Sequence, residues 1–439
     1  MAKYFGTDGI RGKANDLLSP SLALKVGEYL GYKFRNEKII IGKDTRLSSD
    51  MLEHALAAGM AAAGADVYLL GTCATPALAY LIQEGGFEAG VMISASHNPY
   101  HDNGLKVFSG NGMKISVDLE LEIESYLEGL RKIELAESGD IGQIFNYHQG
   151  LDLYIEHLED VIQENFEGLR IVLDLAHGSA VSSGKRLFED LGAEVIIMND
   201  EPNGLNINLN CGSTHLESLQ ERVVNEKADM GFAFDGDADR CLAVDEDGSI
   251  VDGDKILYIL GNYMLDNGEL NHGTVVSTVM ANLGFLKSME KQGLNVIQTD
   301  VGDKNVFKEM VDGGYKLGGE QSGHIILSDY ATTGDGVLTA LKLAEIVAAT
   351  KKSLKTLADS CLTFPQVLKN ITVKDKDFVM NDKTVKMKVE KVKEILGENG
   401  RILVRPSGTE PLIRVMVEAE SIDTCHTYVD EVIEHIKKL

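Results

Sequence analysis

The sequence has few of the features that mark secreted, zinc-binding or membrane proteins. Its five cysteines are odd in number, widely spaced and without a CxxC pair. This pattern argues against a disulfide framework or a zinc ribbon and fits a reducing compartment, the cytoplasm. The N-terminus lacks the apolar segment of a secretory signal. The longest uncharged stretch, residues 67–83, is too short and too broken by Gly71 and Pro76 to span a bilayer.

Positive charge is also scarce. The 439 residues include 42 Lys and Arg against 68 Asp and Glu, which gives a net charge of −26. A polyanion repels nucleic acid and anionic membranes, so we expect neither as a partner. A phosphorylated ligand would need a local cluster of Arg and Lys. Because 44% of residues are apolar and 25% charged, the chain is predicted to be globular, with a length typical of roughly three domains.

What the sequence does contain is a diverged internal repeat. Three segments each have a short β-branched strand, a helix, a glycine-led turn and a second strand. The strand pairs are predicted at 38–44 and 64–71, at 170–174 and 192–199, and at 273–278 and 293–300. Apolar strands separated by helices are typical of α/β layers with parallel strands.

Each repeat continues into a further strand that ends in a polar loop, at residues 94–99, 235–240 and 318–324. Ligands collect at the carboxyl ends of strands in open α/β sheets. The fold class predicted is therefore α/β, with three repeated domains of mixed, mostly parallel sheets and a smaller C-terminal α+β domain around one central cleft. The expected domains are 1–150 with the serine loop, 151–252 with the acidic loop, 253–364 with the glycine-rich loop, and 365–439.

The acidic loop is the clearest chemical signal. Asp235, Asp237 and Asp239 follow an apolar strand at alternate positions. Neighbouring carboxylates repel each other unless a cation or basic side chains compensate, and oxygen ligands favour Mg²⁺. An EF-hand is excluded because its sixth position needs glycine and this loop has Arg240. A solvated acidic turn is the alternative.

The serine loop is predicted to carry a reactive hydroxyl. The turn at Asn98-Pro99 is expected to leave Ser96 and His97 exposed at the strand tip. Ser96 would be a nucleophile or the carrier of a covalent group, and the nearby Lys106 suits a phosphate better than an acyl group. A polar turn with capping side chains is an equally good interpretation of this loop alone.

Two further loops favour sugar and phosphate ligands. Glu320, Ser322 and His324 alternate between glycines, so on an extended chain they would project the same way and contact sugar hydroxyls or transfer a proton. The alternative is a glycine-rich hairpin with a surface histidine. In the stretch 405–414, guanidinium groups, hydroxyls and a glycine fit a phosphate site, although no nucleotide-type phosphate loop is present. A plain turn with surface arginines is the alternative there.

Taken together, the stretches KYFGTDGIRG, ISASHNP, DGDADR, GGEQSGH and RPSGTEPLIRVMVEA resemble the α-D-phosphohexomutase superfamily, in the family's order and over essentially the whole chain. Gln321 and the RPSGTEP form favour its glucosamine branch. The resemblance implies an isomerase, an intramolecular phosphotransferase that interconverts glucosamine 6-phosphate and 1-phosphate through a phosphoserine and a sugar bisphosphate. Such an enzyme would feed UDP-N-acetylglucosamine and cell-wall synthesis.

The resemblance also implies roles for individual residues. Ser96 would be phosphorylated and, with Asp235, Asp237 and Asp239, would hold Mg²⁺. The side chains implied around the phosphoserine are Arg11, His97, Lys106 and Arg240. Glu320 and Ser322 would contact the sugar, with His324 as a proton donor or acceptor. The phosphate that is not transferred would be bound by Arg405, Ser407, Gly408, Thr409 and Arg414. Glucosamine or glucose 1,6-bisphosphate as priming donor, a homodimer and a cytoplasmic location are further family-level expectations.

Two segments depart from the family pattern. Residues 301–305 read VGDKN where the family usually has VGDRY, which leaves a sugar contact by Lys304 and Asn305 open. Residues 174–179 read DLAHGS in place of the usual Asn-Gly-Ala, which we interpret as a structural change. The alternatives to the glucosamine branch are a phosphoglucomutase or phosphomannomutase of the same superfamily, an aspartyl phosphatase with Asp235 as nucleophile and Asp237 as acid/base, and a non-catalytic sugar-phosphate sensor.

Overall fold

The structure is a computed structural model that describes residues 3–6, 8–407 and 411–439. The chain divides into two compact units. The first comprises residues 1–280 and 294–359, and the second comprises residues 281–293 and 360–439. Among the described helices, none combines the length and the apolar character that crossing a membrane would require.

The first sheet has its strands in the order β1-β2-β6-β5-β3-β4-β7. These strands are β1 (Phe5–Gly6), β2 (Gly9–Lys13), β3 (Lys38–Lys43), β4 (Asp66–Thr72), β5 (Ala89–Ile93), β6 (Asp102–Ser109) and β7 (Ile144–Asn146). The helices of this part are α1 (Pro20–Lys33), α2 (Ser49–Ala62), α3 (Thr75–Glu84), α4 (Val117–Leu127) and α5 (Gly150–Asp160). The apolar side chains of β3 and β5 are buried on both faces, as expected for inner strands.

The second sheet has the order β12-β11-β10-β8-β9, and the third has the order β14-β13-β15-β16. The second contains β8 (Arg170–Asp174), β9 (Glu194–Met198), β10 (Met230–Phe234), β11 (Cys241–Asp245) and β12 (Ile250–Val251), with α6 (Gly184–Asp190) and α7 (Glu217–Glu226). The third contains β13 (Thr274–Thr278), β14 (Asn295–Thr299), β15 (Leu317–Gly319) and β16 (Ile325–Leu327), with α8 (Gly253–Asp266), α9 (Leu283–Lys291), α10 (Asp303–Gly313), α11 (Gly336–Thr350) and α12 (Leu354–Ala358).

One topology occurs three times. The orders β4-β3-β5-β6, β9-β8-β10-β11 and β14-β13-β15-β16 each contain three parallel strands followed by one antiparallel strand. The glycine that precedes the second strand of each repeat, at 64, 192 and 293, has a φ between +78° and +101°. Glycine adopts this region without the penalty of a Cβ atom, as the turn patterns predicted. The predicted repeated α/β fold is therefore confirmed.

The second unit is a small α+β module. Its antiparallel sheet has the order β17-β19-β18, with β17 (Gln366–Thr372), β18 (Gly400–Pro406) and β19 (Leu412–Ala419). Its helices are α13 (Lys376–Asn381), α14 (Lys383–Leu396), α15 (Ile422–Ile436) and α9 from the third repeat. Within this unit the buried Glu418 pairs with Arg401 at 2.7 Å and accepts a hydrogen bond from the Leu283 backbone at 2.8 Å.

The sequence pattern near 336–359 predicts a single helix, whereas the structure divides this segment into α11 and α12. Lys351 adopts a left-handed conformation with φ of 56° and ends α11, and the Ser353 side chain caps the N-terminus of α12. The reason is local, because a left-handed residue cannot continue a right-handed helix.

The N-cap of α11 is a buried acid. The Asp335 carboxylate accepts hydrogen bonds from the Leu338 backbone and the Tyr154 hydroxyl, both at 2.9 Å. Burial raises the pKa of Asp335 to about 6 although these hydrogen bonds oppose the shift. A carboxyl with a raised folded-state pKa contributes stability below its unfolded pKa and loses that contribution as the pH rises through the folded value.

We expect Asp335→Asn to keep the helix cap and to remove this pH dependence. Between pH 4 and pH 7.5 the stability of the variant relative to the original chain should therefore rise, by up to about 3 kcal/mol for a shift of roughly two pKa units. Thermal unfolding of both chains across this range measures the difference. The matched control is Asp382→Asn at the N-cap of α14, where hydrogen bonds from Thr384 and Val385 lower the pKa of an exposed carboxyl. The control should be nearly independent of pH over this range, because its carboxyl is already ionised above about pH 4 in the folded and the unfolded chain. A rise in the control as large as that of Asp335→Asn would contradict the prediction.

Candidate active site

The serine, acidic and glycine-rich loops occupy equivalent positions in the three repeats. They connect β5 to β6, β10 to β11 and β15 to β16, the antiparallel pair that ends each repeat. All three loops belong to the first unit of the chain. A repeated topology thus carries three different sets of polar side chains at the carboxyl ends of corresponding strands.

Ser96 lies against the acidic loop. Its hydroxyl donates a hydrogen bond of 2.5 Å to Asp235 Oδ2 and lies 3.4 Å from His97 Nδ1. Its backbone is left-handed, with φ of 53°. The prediction that the Asn-Pro turn leaves Ser96 exposed was wrong, since only 1% of the residue is exposed and His97 is partly buried. The reason is tertiary, because the acidic loop of the second repeat covers the tip of β5.

The three aspartates form one cluster. A ligand oxygen from each of Asp235, Asp237 and Asp239 lies within 4.8 Å of the others, and all three residues are buried. Among the described residues, Asp237 Oδ1 and Asp239 Oδ1 are buried and have no hydrogen-bond partner. Such orphaned carboxylate oxygens are costly unless a cation binds them. The donor set is all oxygen, so the cluster fits Mg²⁺.

Within the cluster, the pKa values of Asp235 and Asp239 are shifted in opposite directions. Burial and the neighbouring carboxylates of Asp239 and Asp237 raise the pKa of Asp235 well above its ordinary value. Burial acts in the same direction on Asp239, but Lys106 and His324 outweigh it and hold the pKa of that carboxyl low. The acidic loop therefore depends on the cations around it.

Lys106 is the most buried of these cations. Its ammonium lies 2.6 Å from Asp237, 3.4 Å from Asp239 and 3.3 Å from Asp8, and the residue is 1% exposed. Burial alone would favour the neutral amine, but the carboxylates outweigh it and raise the pKa of Lys106. Lys106 is therefore charged at physiological pH.

Two arginines face the same region. Arg11 pairs with Asp8, and Arg240 Nε lies 3.9 Å from Asp239 Oδ1. The Nε groups of both arginines are buried without a hydrogen-bond acceptor among the described residues. Burial and the two guanidinium groups lower the pKa of His97 to about 4, so its imidazole is neutral at physiological pH. The Nε–H groups of Arg11 and Arg240 can each donate a hydrogen bond to a bound anion.

His324 and the glycine-rich loop lie beside Asp239. His324 Nδ1 is 3.7 Å from Asp239 Oδ2, and the Gly334 backbone donates a hydrogen bond of 3.1 Å to Nε2. The second contact requires a lone pair on Nε2, so Nδ1 carries the proton that faces Asp239. Burial opposes a charge on His324, but the Asp239 carboxylate prevails and raises the pKa of the imidazole.

The extended conformation predicted for residues 320–324 was wrong. The Gly323 backbone donates a hydrogen bond of 2.9 Å to the Glu320 carbonyl, which closes a turn, and Gly323 has a φ of +90°. Alternate residues therefore do not project the same way. Glu320 Oε1 accepts a hydrogen bond of 3.1 Å from the Gly302 backbone, Ser322 is exposed and His324 is buried.

Sequence reasoning missed a partly buried chain of charges next to Lys106. Lys114 Nζ lies 2.6 Å from Asp8 Oδ1 and also pairs with Asp303 at the first turn of α10. These charges raise the pKa of Lys114 against burial, and Lys106, Lys114 and Arg11 hold that of Asp8 low against burial. The available signal was the spacing of Asp8 and Arg11, three residues apart in the TDGIRG motif.

The two departures from the family pattern have local partners. Lys304 pairs with Glu120 on α4 at 2.8 Å. The Asn305 side chain, in the first turn of α10, donates a hydrogen bond of 3.1 Å to the carbonyl of Val301 just before that helix. The carboxylate of the buried Asp174 accepts hydrogen bonds from the Ala176 and Gly212 backbones, at 3.0 and 2.8 Å, so it supports the loop that follows β8.

In the second unit, Arg405 on β18 lies directly opposite Arg414 on β19. Opposed residues of an antiparallel pair point to the same face, so both arginine side chains leave the same face of this sheet. Ser407 is buried, and its backbone donates a hydrogen bond of 2.9 Å to the Leu412 carbonyl. Gly408 and Thr409, also predicted to bind this phosphate, lie outside the described residues.

Family models match four consecutive parts of the chain, and all four describe domains of phosphoglucomutase/phosphomannomutase. They are alpha/beta/alpha domain I at residues 2–134, domain II at 152–248, domain III at 252–364 and the C-terminal domain at 368–435. A phosphoglucosamine mutase of Oceanobacillus iheyensis is 50% identical over 442 aligned residues, which cover 100% of this chain and 99% of the relative. The chain belongs to the phosphoglucosamine mutase family. The resemblance, the isomerase class and the mutase function predicted from the motifs are thereby confirmed at the level of the family.

Solved structures agree with the fold of this phosphoglucosamine mutase family member. A phosphoglucomutase/phosphomannomutase family protein from Burkholderia thailandensis has a TM-score of 0.84 and 25% identity, and the match covers 100% of this chain and 98% of the other. An Aspergillus fumigatus N-acetylphosphoglucosamine mutase in complex with GlcNAc-6P and magnesium has a TM-score of 0.69 and 16% identity, over 100% of this chain and 96% of that one.

The aspartate cluster leads to a prediction about metal binding. We expect Asp239→Asn to weaken Mg²⁺ binding tenfold or more, because the variant loses one of three anionic ligands. Titration calorimetry on the metal-free chain measures the affinity, and the thermal midpoint measures it independently, since saturation at about a hundred times Kd adds roughly 2.7 kcal/mol.

The matched control is Asp245→Asn, a buried acid at the end of β11 outside the cluster. It should leave the Mg²⁺ affinity close to that of the original chain. If both variants bind Mg²⁺ as the original chain does, the metal site is not at the cluster.

Proposed function

We propose that this chain interconverts glucosamine 6-phosphate and glucosamine 1-phosphate through a phosphorylated Ser96 and a glucosamine 1,6-bisphosphate intermediate. The observation that carries the proposal is the hydrogen bond of 2.5 Å between Ser96 Oγ and Asp235 Oδ2. It joins the candidate phosphoryl carrier to the cluster of three buried aspartates, whose oxygens could hold a metal ion.

In the first half-reaction, a hydroxyl oxygen of the sugar phosphate attacks the phosphorus on Ser96. The new P–O bond forms as the bond between phosphorus and Ser96 Oγ breaks, and the proton of the attacking hydroxyl passes to a base. The bisphosphate then reorients, and Ser96 Oγ takes the phosphoryl group from its other end. In the first half-reaction the leaving Ser96 Oγ gains a proton as the sugar hydroxyl loses one, and in the second half-reaction the serine hydroxyl loses its proton as the released sugar oxygen gains one, so the protons balance. His324 is our candidate for the proton transfer at the sugar, because an imidazole can both accept and donate a proton.

Phosphoryl transfer requires positioning and charge neutralisation more than covalent assistance. Lys106 lies 2.6 Å from Asp237, and we assign to it, with Arg11 and Arg240, the binding of the phosphoserine oxygens. Mg²⁺ bound by Ser96 and the three aspartates would supply further neutralisation of the phosphoryl group. The neutral His97 would donate a hydrogen bond to that group without adding charge.

Burial of Ser96 supports a mutase over a phosphatase. A phosphoserine that water can reach hydrolyses, so a phosphoryl carrier has to be shielded. Ser96 and Asp235 are 1% and 0% exposed. The aspartyl phosphatase alternative needs Asp235 as a free nucleophile. In this structure its carboxylate accepts hydrogen bonds from the hydroxyl of Ser96 and from the backbone N–H of Arg240.

We assign the sugar contacts to Glu320 and Ser322, and the phosphate that is not transferred to Arg405, Ser407, Gly408, Thr409 and Arg414. Arg405 and Arg414 are opposite each other on one face of the sheet, and guanidinium groups suit a phosphate dianion. GlcNAc-6P in the complex of the Aspergillus relative supports an amino-sugar phosphate as the ligand class. Neither Lys304 nor Asn305 is assigned a sugar contact.

Further proposals complete this account. Glucosamine or glucose 1,6-bisphosphate primes the unphosphorylated enzyme by phosphorylating Ser96. The chain functions in the cytoplasm as a homodimer, with domain boundaries near residues 150, 252 and 364. Equilibrium sedimentation measures the oligomeric state, and limited proteolysis measures the domain boundaries.

We expect Ser96→Ala to lose mutase activity by a factor of at least about 10⁴, because the covalent route needs the hydroxyl. Mg²⁺ binding should persist through the three aspartates. Peptide mass mapping of the active enzyme should find one phosphoryl group on Ser96 and none in the variant. Ser125→Ala, on a partly exposed position of α4, is the control and should retain full turnover. Turnover retained in Ser96→Ala, with no phosphoserine in the original chain, would favour the phosphatase.

We also expect the enzyme to prefer glucosamine phosphates. Relative kcat/KM values on the 1-phosphates of glucosamine, glucose and mannose, followed by ³¹P NMR, measure this preference. A higher value for glucose or mannose would assign the chain to the corresponding branch of the superfamily. Binding without interconversion of any of the three would indicate a sensor.

A further inference from the structure

The conformation of Ser96 has to be held by its surroundings. A left-handed backbone at φ of 53° is unfavourable for serine, and such strain persists only where neighbouring groups enforce it. The conformation also decides where the hydroxyl points. Groups that fix the backbone of Ser96 therefore fix the position of the proposed phosphoryl carrier.

Arg46 is the first of these groups. The residue is 2% exposed, and its guanidinium forms a fully buried ion pair of 2.7 Å with Asp44. Its Nη2 donates to the carbonyls of Ser96 and Asn98, both at 2.8 Å. Its Nη1 donates to the carbonyls that follow, those of Pro99 and Asp102. One rigid fork of donors thus holds the backbone of the whole serine loop.

Asn208, from the second repeat, is the other group. Its Nδ2 donates to the Ser96 carbonyl at 2.9 Å and to the Asn98 carbonyl at 3.2 Å. Its Oδ1 is buried and has no hydrogen-bond partner among the described residues. The side chain therefore acts on the serine loop through its amide donor alone. Asn208 is itself left-handed, with φ of 58°, a conformation that asparagine tolerates well.

The acidic loop packs against the same carbonyl. A Cβ atom added to Gly236 would lie 2.5 Å from the Ser96 carbonyl oxygen and 2.8 Å from Asn208 Nδ2. The absence of a side chain at Gly236 lets the metal-binding loop, the serine loop and Asn208 meet at one point. Thr45, next to Arg46, donates a hydrogen bond of 2.6 Å to the carbonyl of His177 in the second repeat.

We propose that Arg46 and Asn208 are positioning residues, which clamp the carbonyls of the serine loop from two repeats and so aim Ser96 Oγ at the metal cluster. The inference rests on the proposed function of Ser96. Neither side chain contacts the reacting atoms, and their effect on catalysis passes through the backbone of Ser96. An error of about 1 Å in such positioning can cost on the order of a hundredfold in rate.

Asn208 is the better residue for a test, because removing Arg46 would leave Asp44 buried and unpaired and could prevent folding. Asn208→Gly keeps the left-handed backbone and removes the donor. Asn208→Asp keeps the shape and replaces the donor by an acceptor that faces two carbonyls. The matched controls are Asn210→Gly and Asn210→Asp, at an exposed left-handed asparagine of the same loop, with φ of 54°.

We expect kcat to fall about tenfold to a hundredfold in Asn208→Gly and further in Asn208→Asp, with the KM for sugar phosphate and the Kd for Mg²⁺ changed less than about threefold. Single-turnover phosphorylation of Ser96 by glucose 1,6-bisphosphate should slow in parallel. Both controls should keep the kcat of the original chain.

Three outcomes would overturn the proposal. The first is an unchanged kcat in both Asn208 variants, and the second is a better kcat in Asn208→Asp than in Asn208→Gly, which would indicate a space-filling role. The third is a loss of Mg²⁺ affinity or of thermal stability that accounts for the whole effect. If instead the original chain carries no phosphoryl group on Ser96 and does not turn over, the proposed function itself fails, and the two failures are thereby distinguished.

Discussion

The site depends on the balance of charge around three buried aspartates. The acidic loop concentrates negative charge where water is excluded, and such a cluster is unstable without compensation. Lys106, 1% exposed, provides part of that compensation from the first repeat, and Asp8 and Lys114 extend the ionic network away from it. The same balance explains how a chain of net charge −26 can accommodate a phosphorylated ligand. The lysines and arginines at the site act on the ligand directly, whereas salt screens the more distant negative charges.

The threefold repeat explains how these charges come together. Each repeat ends with a parallel strand, a polar loop and an antiparallel strand. The strand arrangement is the same in all three repeats, but the side chains of the equivalent loops differ. The first repeat supplies a hydroxyl and a lysine, the second supplies carboxylates and an arginine, and the third supplies a histidine. The contact of Ser96 with Asp235 therefore joins residues 139 positions apart in the chain.

Much of this was predictable from the sequence. Strand and helix periodicity gave the repeats, and glycines 64, 192 and 293 marked the turns, because these signals are local. The burial of Ser96 was not predictable, since it arises from a loop of a different repeat. The turn at Gly323 matches the alternative interpretation of that loop, a glycine-rich hairpin, because the antiparallel pairing of β15 with β16 requires a tight connection. Lys114 and Asp303 were missed because each is an ordinary charged residue until folding brings them into one ionic network.

The membership of α9 in the second unit has a consequence for engineering. Gly284 on this helix packs so close to the Leu362 backbone that an added Cβ would lie 2.3 Å from its carbonyl oxygen, and Asn282 exchanges hydrogen bonds with the backbone of Phe364. The C-terminal module is thus discontinuous in sequence. A chimera that exchanges this module between family members has to transplant residues 281–293 together with residues 360–439, or the graft will lack one of its own helices.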